Sequence, residues 1–430
     1  LDVEDWLLTE KPHEWEDCDF THYYTAGVNK VFDVKDVGPQ KCDIDAWIHD
    51  MSKYARPASS GGVPTKMRFK ATVIRDGEIV EKEVKPDKSK WSALLSMTEG
   101  EIKNIMTVPR AKYHLTCFPK EEAGKIRSVI NGDMNLYLPM LWLVQLTENV
   151  LKHNKDAVLF LETEDRIAMV REILSWTSGG GINAPMDQGS FDHAQSMPMI
   201  LTFIKIWVET LHRYYSNEDI LRVGELVTYA VQNSYVSWGG KSAKVINGIP
   251  SGWAATALAD LVLNQATFNA VITRARELGF STWFIGKFLG DDSSTYQRGY
   301  VECAIVWWLY TAAGFDVNIS KFFLSPDHNE FLRMVYTPKG VIGYPARIIA
   351  NLLWRKPWLD KQPETESAGE QVCVAWLKLL SRGAPIQKVL DHMRNDLMGY
   401  FQKDQKAVDD FLNYMTAPTW QGGRFWGADV

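Results

Sequence analysis

The sequence predicts an α/β protein built from several packed lobes. Three observations carry this. The chain has 430 residues, which at about 100–200 residues per domain corresponds to two to four lobes. Apolar residues make up 46% and charged residues 23%, an ordinary globular composition that excludes disorder, collagen and coiled coil as descriptions of the whole chain. Amphipathic helical stretches are interspersed with short strand-like runs and glycine-marked turns. No apolar run reaches the roughly 18 residues of a membrane span. The longest, residues 303–315, reads as a buried helix. No basic segment followed by an apolar one opens the chain, so no signal peptide is expected. Leu1 in place of Met suggests a processed product or a piece of something larger.

Five cysteines (Cys18, Cys42, Cys117, Cys303, Cys373) form no Cys-x-x-Cys pair. An odd, scattered set argues against a disulfide framework and a zinc site and fits a reducing compartment. The net charge of −6 does not exclude a polyanionic partner, because the local field of a groove decides binding. Charge is also unevenly spread. Residues 1–20 carry eight acids and one Lys, whereas residues 103–127 carry six Lys/Arg against two Glu.

Taken in order, the acidic opening to about Asp36 reads as an arm or surface layer. Residues 55–62 form a small-residue loop that includes Ser59 and Ser60, and such turn residues free backbone N–H groups. Residues 65–86 alternate charged and apolar side chains, as strands do. Helical patterns cover 135–152 and 166–176, with a short apolar run at 157–161 between them. A triple glycine, 179–181, precedes an extended segment ending at Asp187. Residues 194–233 read as one or two amphipathic helices and 241–250 as a loop. Ser251-Gly252 opens a long helix ending near Gly279. On that helix Leu258, Leu261, Val262, Phe268 and Ile272 share a face, while Thr256, Asp260 and Asn264 follow i, i+4, i+8 spacing opposite it, a polar stripe expected to face something other than core. Strands are expected at 283–289 and 293–297, joined by a tight turn at Gly290-Asp291-Asp292. Helix 301–313 follows, and helices dominate from residue 345.

Adjacent carboxylates at a hairpin tip repel and are tolerated where a cation or strong donors lie between them. Gly-Asp-Asp alone also fits a polar turn. Asp187, presented at the end of its extended segment, would bring a third carboxylate if that strand lay beside the hairpin, and Asp192 follows within the next turn. Such a cluster suits Mg²⁺, which prefers oxygen ligands and substrate phosphates. Two ions about 3.5–4 Å apart would serve an in-line phosphoryl transfer. Thr256 and Asn264 would suit a ribose hydroxyl, although an N-capped core helix with incidental polar residues fits the same pattern. Lys120, Lys125 and Arg127 are a cationic strand or loop. Lys125 and Arg127 alternate with Ile126, which puts both charges on one side, able to clamp a triphosphate or simply to be solvated.

The ordered series Gly124-Lys125-Ile126-Arg127, Asp187-x4-Asp192, Ser251-Gly252-Trp253-Ala254-Ala255-Thr256, Asn264, Gly290-Asp291-Asp292, Lys321 and Glu330-Phe331-Leu332-Arg333 resembles the motif series of viral RNA-dependent RNA polymerases. Within these it is most similar to those of double-stranded RNA viruses, totivirus-like polymerases in particular. The match covers roughly residues 55–350. It departs at Asp192, where the nearest totivirus-like sequences have Asn.

The resemblance implies a right-hand polymerase with a ferredoxin-like antiparallel palm sheet. Fingers would span 1–175, the palm 176–344 with a finger insertion at about 205–245, and a helical thumb 345–430. It implies two Mg²⁺ (or Mn²⁺) ions held by Asp187, Asp291 and, more weakly, Asp292. Asp192 and Asn264 would check the ribose, and Ser251, Gly252 and Thr256 would position the nucleotide. Lys125 and Arg127 would hold the triphosphate, and Lys321 would protonate the pyrophosphate. Lys120, Ser59 and Ser60 would guide RNA, and Phe331, Leu332 and Arg333 would grip the growing 3′ end. Implied partners are an RNA template and product, ribonucleoside triphosphates and a viral capsid protein, with no membrane, in the virion interior or host cytoplasm. Two rivals remain open: a reverse transcriptase-like polymerase, and a catalytically silent RNA-binding or capsid-associated scaffold.

Overall fold

The computed structural model describes residues 3–15, 19–35, 37–55, 69–75, 78–84, 89–122, 125–317, 323–353, 365–401 and 404–417. The chain divides into two compact units. One comprises residues 1–122, 126–162 and 186–323; the other comprises 123–125, 163–185 and 324–430.

The first unit is organised around the helix Thr256–Glu277, which is buried on nearly every side. Helix Phe20–Phe32 crosses it so closely that a Cβ on Gly27 would stand 2.3 Å from the Ala266 carbonyl oxygen. Helices Met134–Leu151, Met197–Tyr215 and Glu218–Gln232 complete this core. Their ends obey local rules. Asp133 and Asn217 cap with side-chain oxygens, and Pro198 sits in the first turn of its helix, where its missing N–H costs nothing. Residues 194–233 are therefore two helices, as the sequence allowed.

A four-stranded sheet has the order Lys125–Asn131, Tyr113–Glu122, Ser234–Trp238, Lys241–Lys244. The second and third strands are parallel, and the last two form an antiparallel hairpin. Residues 241–244 were expected to be loop. Gly239 and Gly240, both at positive φ (50° and 81°), supply the two-residue turn that returns the chain as a strand. One face of this sheet is covered by the N-terminal helix Val3–Leu7, whose Val3, Trp6 and Leu7 pack with Leu115, Cys117, Ile130, Val236 and Val245. The acidic opening is thus not merely a surface layer. Its acids lie outward on a helix whose apolar side completes a core, a pattern hidden by the charge count.

The paired aspartates are carried by the antiparallel hairpin Phe284–Leu289/Asp292–Gln297. Phe288 and Phe284 pack on Phe268 at centroid distances of 5.7 and 4.5 Å, which anchors the hairpin to the central helix. Buried Lys287 reaches Asp156 at 3.0 Å. Strand Ile182–Asp187 joins the same sheet, which has three strands among the described residues. Helix Tyr300–Ala312 follows, stopped at Gly314 (φ +84°).

The second unit contains helix Thr163–Trp176 and a three-stranded antiparallel sheet, Asn329–Phe331, Met334–Thr337 and Gly340–Gly343. Helices Pro345–Leu353, Thr365–Ser381, Ile386–Tyr400 and Gln405–Thr416 follow. Cys373, Val389, Met393, Leu397 and Val408 form the centre of a separate apolar core.

Candidate active site

The hairpin register pairs Leu289 with Asp292, so the turn is only Gly290-Asp291, shorter than the three-residue turn expected. Gly290 has φ +58°, which a glycine in the first central position of such a turn adopts without strain. Asp291 therefore stands at the tip and Asp292 opens the return strand, both exposed. Beside them, the Ser293 hydroxyl donates to the Met186 carbonyl at 2.9 Å, which fixes the chain immediately before Asp187 against the return strand. Only the backbone of Asp187 is described.

Asn264 joins these elements. Its Nδ2 donates to the carbonyls of Gly290 (3.1 Å) and Asp291 (3.0 Å), and its Oδ1 accepts from Gln188 Nε2 at 3.2 Å. One fully buried amide thus ties the hairpin turn to the residue after Asp187. The polar stripe of this helix was expected to face away from core. At Asn264 it faces inward and its hydrogen-bonding capacity is spent on backbone and Gln188. On the other side of this segment, Gly189 lies so close to Asp316 that a Cβ would meet its carboxylate at 2.3 Å, and Gly189 N donates to Asp316 O at 2.8 Å.

One turn earlier, Asp260 behaves differently. It is hydrogen-bonded to Asp192, and its Oδ1 is buried without a partner. Burial pushes the Asp192 carboxyl up to about 6; the nearby Asp291 charge adds to this, while the Asp260 hydrogen bond and Arg127 oppose it. Burial, then the Asp192 and Asp291 charges, hold the Asp260 carboxyl well above the usual carboxylate range. A hydrogen bond between two carboxyls requires a proton on one of them. The Asp192 backbone is held by Ile249 N, which donates to its carbonyl at 3.0 Å, and the adjacent His193 stacks on Trp6 (4.9 Å between ring centroids) and pairs with Asp5 at 3.2 Å.

The segment before the central helix also differs from expectation. The helix begins at Thr256, five residues after Ser251. Ser251 Oγ accepts from Ile130 N at 3.0 Å, and a Cβ on Gly252 would meet Gly132 N and Ile130 O at 2.3 Å. Gly252 thus permits close packing of backbone on the end of the strand that carries Arg127. Thr256 Oγ1 lies 2.9 Å from Pro250 O and 3.0 Å from Trp253 O, stapling the turn.

Lys120 and Arg127 are exposed on the four-stranded sheet; Lys125 opens its strand, and its side chain lies outside the described residues. Ile126, between the two expected cations, is 67% exposed at the sheet edge. Ser59, Ser60 and Lys321 lie outside the described residues. Phe331, Leu332 and Arg333 belong to the second unit. Phe331 is buried, Leu332 and Arg333 form a tight turn at φ 52° and 65°, and the Arg333 carbonyl accepts from the Arg382 guanidinium. Asp260 and Gln188 are the two residues whose part in the site sequence reasoning did not reach. Asp260 was visible as a member of the stripe but without a partner, and Gln188 gave no signal beyond following Asp187.

Among the described residues, no group of three or more His, Cys, Asp or Glu side chains is arranged to hold a metal ion. The chemistry of the donors nevertheless fits a hard divalent cation: Asp291 and Asp292 offer adjacent carboxylates whose repulsion a cation would relieve, at the edge where Asp187 ends its strand.

A family model described as viral RNA-directed RNA polymerase matches residues 99–353, more than half the chain. The chain is 27% identical over 245 residues to the probable RNA-directed RNA polymerase of Giardia lamblia virus (isolate Wang), a match covering 55% of this chain and 12% of that protein. It is 25% identical over 261 residues to that of Helminthosporium victoriae virus-190S, covering 60% of this chain and 30% of that protein. In fold it is similar to the RNA-dependent RNA polymerase of a human picobirnavirus in its insertion-loop deletion form (TM-score 0.64, 13% identity, covering 96% of this chain and 78% of that one). It is also similar to the BmCPV RNA-dependent RNA polymerase at elongation state (TM-score 0.58, 14% identity, covering 92% and 35%). With the motif series, the hairpin and these likenesses together, the chain belongs to the viral RNA-directed RNA polymerase family.

Proposed function

We propose that this chain carries the catalytic centre of an RNA-dependent RNA polymerase that replicates and transcribes a double-stranded RNA virus genome by templated nucleotidyl transfer. The observation that carries the reading is the Asn264-tied hairpin, with Asp291 at its tip beside the chain segment that ends in Asp187.

In this reading Asp187 and Asp291 hold two Mg²⁺ (or Mn²⁺) ions, with Asp292 an outer ligand. When bound, the ions supply activation of the attacking 3′-hydroxyl and charge stabilisation at the phosphate. The chain's own residues do the rest. Lys125 and Arg127 orient the triphosphate, and Lys321 delivers a proton to the leaving pyrophosphate. Asp192 reads the ribose, a role the resemblance implies for Asp192 and Asn264 together; here Asp260 supports Asp192, while the Asn264 amide is engaged by the hairpin turn. The proton lies between the two carboxyls, so Asp192 meets the 2′-hydroxyl as an acceptor. Ser251, Gly252 and Thr256 act through the turn they stabilise. Lys120, Ser59 and Ser60 guide the template, and Phe331, Leu332 and Arg333 hold the product end. The right-hand division into fingers (1–175), palm (176–344, ferredoxin-like, with a finger insertion at about 205–245) and helical thumb (345–430) belongs to the same reading. So do a capsid protein partner and a place in the virion interior or host cytoplasm. Among the described residues, no helix is long and apolar enough to cross a membrane.

The test is incorporation of labelled ribonucleotides on a defined RNA template with Mg²⁺. Asp291→Asn is expected to lower it by about 10²–10³-fold or more, several kcal/mol of charge stabilisation at about 1.4 kcal/mol per decade. Undiminished incorporation by that variant contradicts the metal assignment. Preference for deoxynucleotides would favour the reverse transcriptase-like rival, and no incorporation by the wild type the silent scaffold.

A further inference from the structure

The turn that carries Asp192 cannot hold itself. Helix Phe191–Ala194 has four residues, and its closing carbonyls have no partners within so short a helix. Each finds one elsewhere in the chain. Asp192 O accepts from Ile249 N at 3.0 Å, and Gln195 O from Gly248 N at 2.8 Å. His193 O accepts from the Asn247 side-chain amide at 2.7 Å, and Ala194 O from the His13 ring Nε2. Segment 246–249 is held in turn by helix Val3–Leu7. Ile246 N and Asn247 N both donate to Leu7 O, at 2.9 and 3.2 Å. Gly248, at φ +76°, lies so close to this helix that a Cβ would stand 2.5 Å from Trp6 O. The Trp6 and His193 rings are nearly parallel, with 8° between their planes, and Asp5 pairs with His193. Val3, Trp6 and Leu7 also cover the sheet that carries Arg127, so one short helix ties the Asp192 turn to that sheet.

We propose that Trp6, His193 and Asn247 are positioning residues for sugar selection: by fixing the backbone of residues 192–195 they set the preference for ribonucleotides over 2′-deoxynucleotides. This role rests on the proposed reading of Asp192 as the residue that meets the 2′-hydroxyl. The two substrates differ by one hydroxyl, so only a group held at hydrogen-bond distance from it tells them apart. Productive geometry of this kind tolerates about 0.5 Å. The bond to Asp260 restrains the Asp192 carboxyl but not the turn beneath it. The carbonyl bonds and the ring stack supply that second restraint. Buried carbonyls are costly to leave unpaired, so a turn deprived of its donors would shift toward new partners and take Asp192 with it. Trp6, His193 and Asn247 need no contact with the nucleotide. They act through Asp192.

The test is the ratio of kcat/KM for a ribonucleotide over its 2′-deoxy counterpart, measured with the full chain on one RNA template with Mg²⁺, alongside thermal melts. Asn247→Ala and His193→Ala are each expected to lower the ratio about tenfold, as a shift of a fraction of an ångström would where about 1 Å costs about 10²-fold. The loss should fall on the ribonucleotide, mainly as a raised KM, with the deoxynucleotide little changed. A role in folding alone would slow both substrates together and leave the ratio as it is. His193→Phe keeps a ring against Trp6 and should restore the ratio lost in His193→Ala. Trp6→Ala should show the same loss. Trp6 is also core, so His193→Ala, at a side chain 19% exposed, carries the test if Trp6→Ala unfolds. A ratio unchanged in folded Asn247→Ala and His193→Ala, but lowered by Asp192→Ala, overturns the proposal and leaves the polymerase reading standing. A ratio unchanged even by Asp192→Ala removes Asp192 from the ribose, and this proposal with it. A wild type that incorporates neither nucleotide sinks the polymerase reading itself.

Discussion

Asp260 and Asn264 occupy successive turns of one helix and are both polar side chains in a protein interior, yet their surroundings differ. Asn264 has every hydrogen-bonding group engaged and holds two backbone carbonyls and Gln188. Asp260 shares a proton-dependent bond with Asp192 and keeps one buried oxygen with no partner. A satisfied buried polar group stabilises geometry, whereas an unsatisfied one costs about 1–3 kcal/mol and persists where something other than stability requires it. In the reading proposed above, the first residue belongs to the scaffold of the site and the second to its chemistry.

Removing Asn264 breaks that comparison most severely. Asn264→Leu leaves the Gly290 and Asp291 carbonyls and the Gln188 amide without their partner, and is expected to cost about 2–4 kcal/mol of stability, read as a lowered urea midpoint. Incorporation should fall with it, because the Asp291 tip is no longer fixed. An unchanged midpoint would remove Asn264 from the scaffold.

At Asp260 the opposite sign is expected. Carboxyls raised in the folded state lend stability that is fully present below the unfolded range near pH 4 and is lost as pH rises, through about 6 for Asp192. Asp260→Asn keeps the shape and removes the charge. It should therefore stabilise the metal-free protein, on the order of 1–3 kcal/mol at pH 8 and little at pH 4. Thermal melts at the two pH values check this, and a gain independent of pH would contradict a shared proton.

Smaller still, Thr256→Val loses only the hydroxyl that staples the 250–256 turn. About 0.5–1.5 kcal/mol of stability should go, with the nucleotide KM little changed. A KM rising tenfold without loss of stability would return Thr256 to direct nucleotide contact.

Much of this was legible in the sequence because it is local. The hairpin turned at Gly290, though one residue tighter than expected, the triple glycine before Asp187 and the apolar face of the central helix are short-range patterns that local sequence reads directly. Asp260 shows why the rest was not. Helical spacing placed it on a face, but its partner Asp192 lies 68 positions away, and nothing local distinguishes a proton-sharing pair from two solvated acids. The packing at Gly252 was hidden for a related reason: the space a Cβ would occupy is filled by Gly132 and Ile130, which only tertiary packing brings near. The helix Val3–Leu7 was obscured by its own charge, since two of its five residues are acids.

Divalent-cation binding itself is the measurement closest to the central claim. Calorimetric titration of the nucleotide-free protein with Mn²⁺ is expected to show binding in the wild type and in Thr256→Val, and at least a tenfold loss in Asp291→Asn, a difference of about 1.4 kcal/mol or more. Mn²⁺ affinity unaltered by Asp291→Asn would contradict the account.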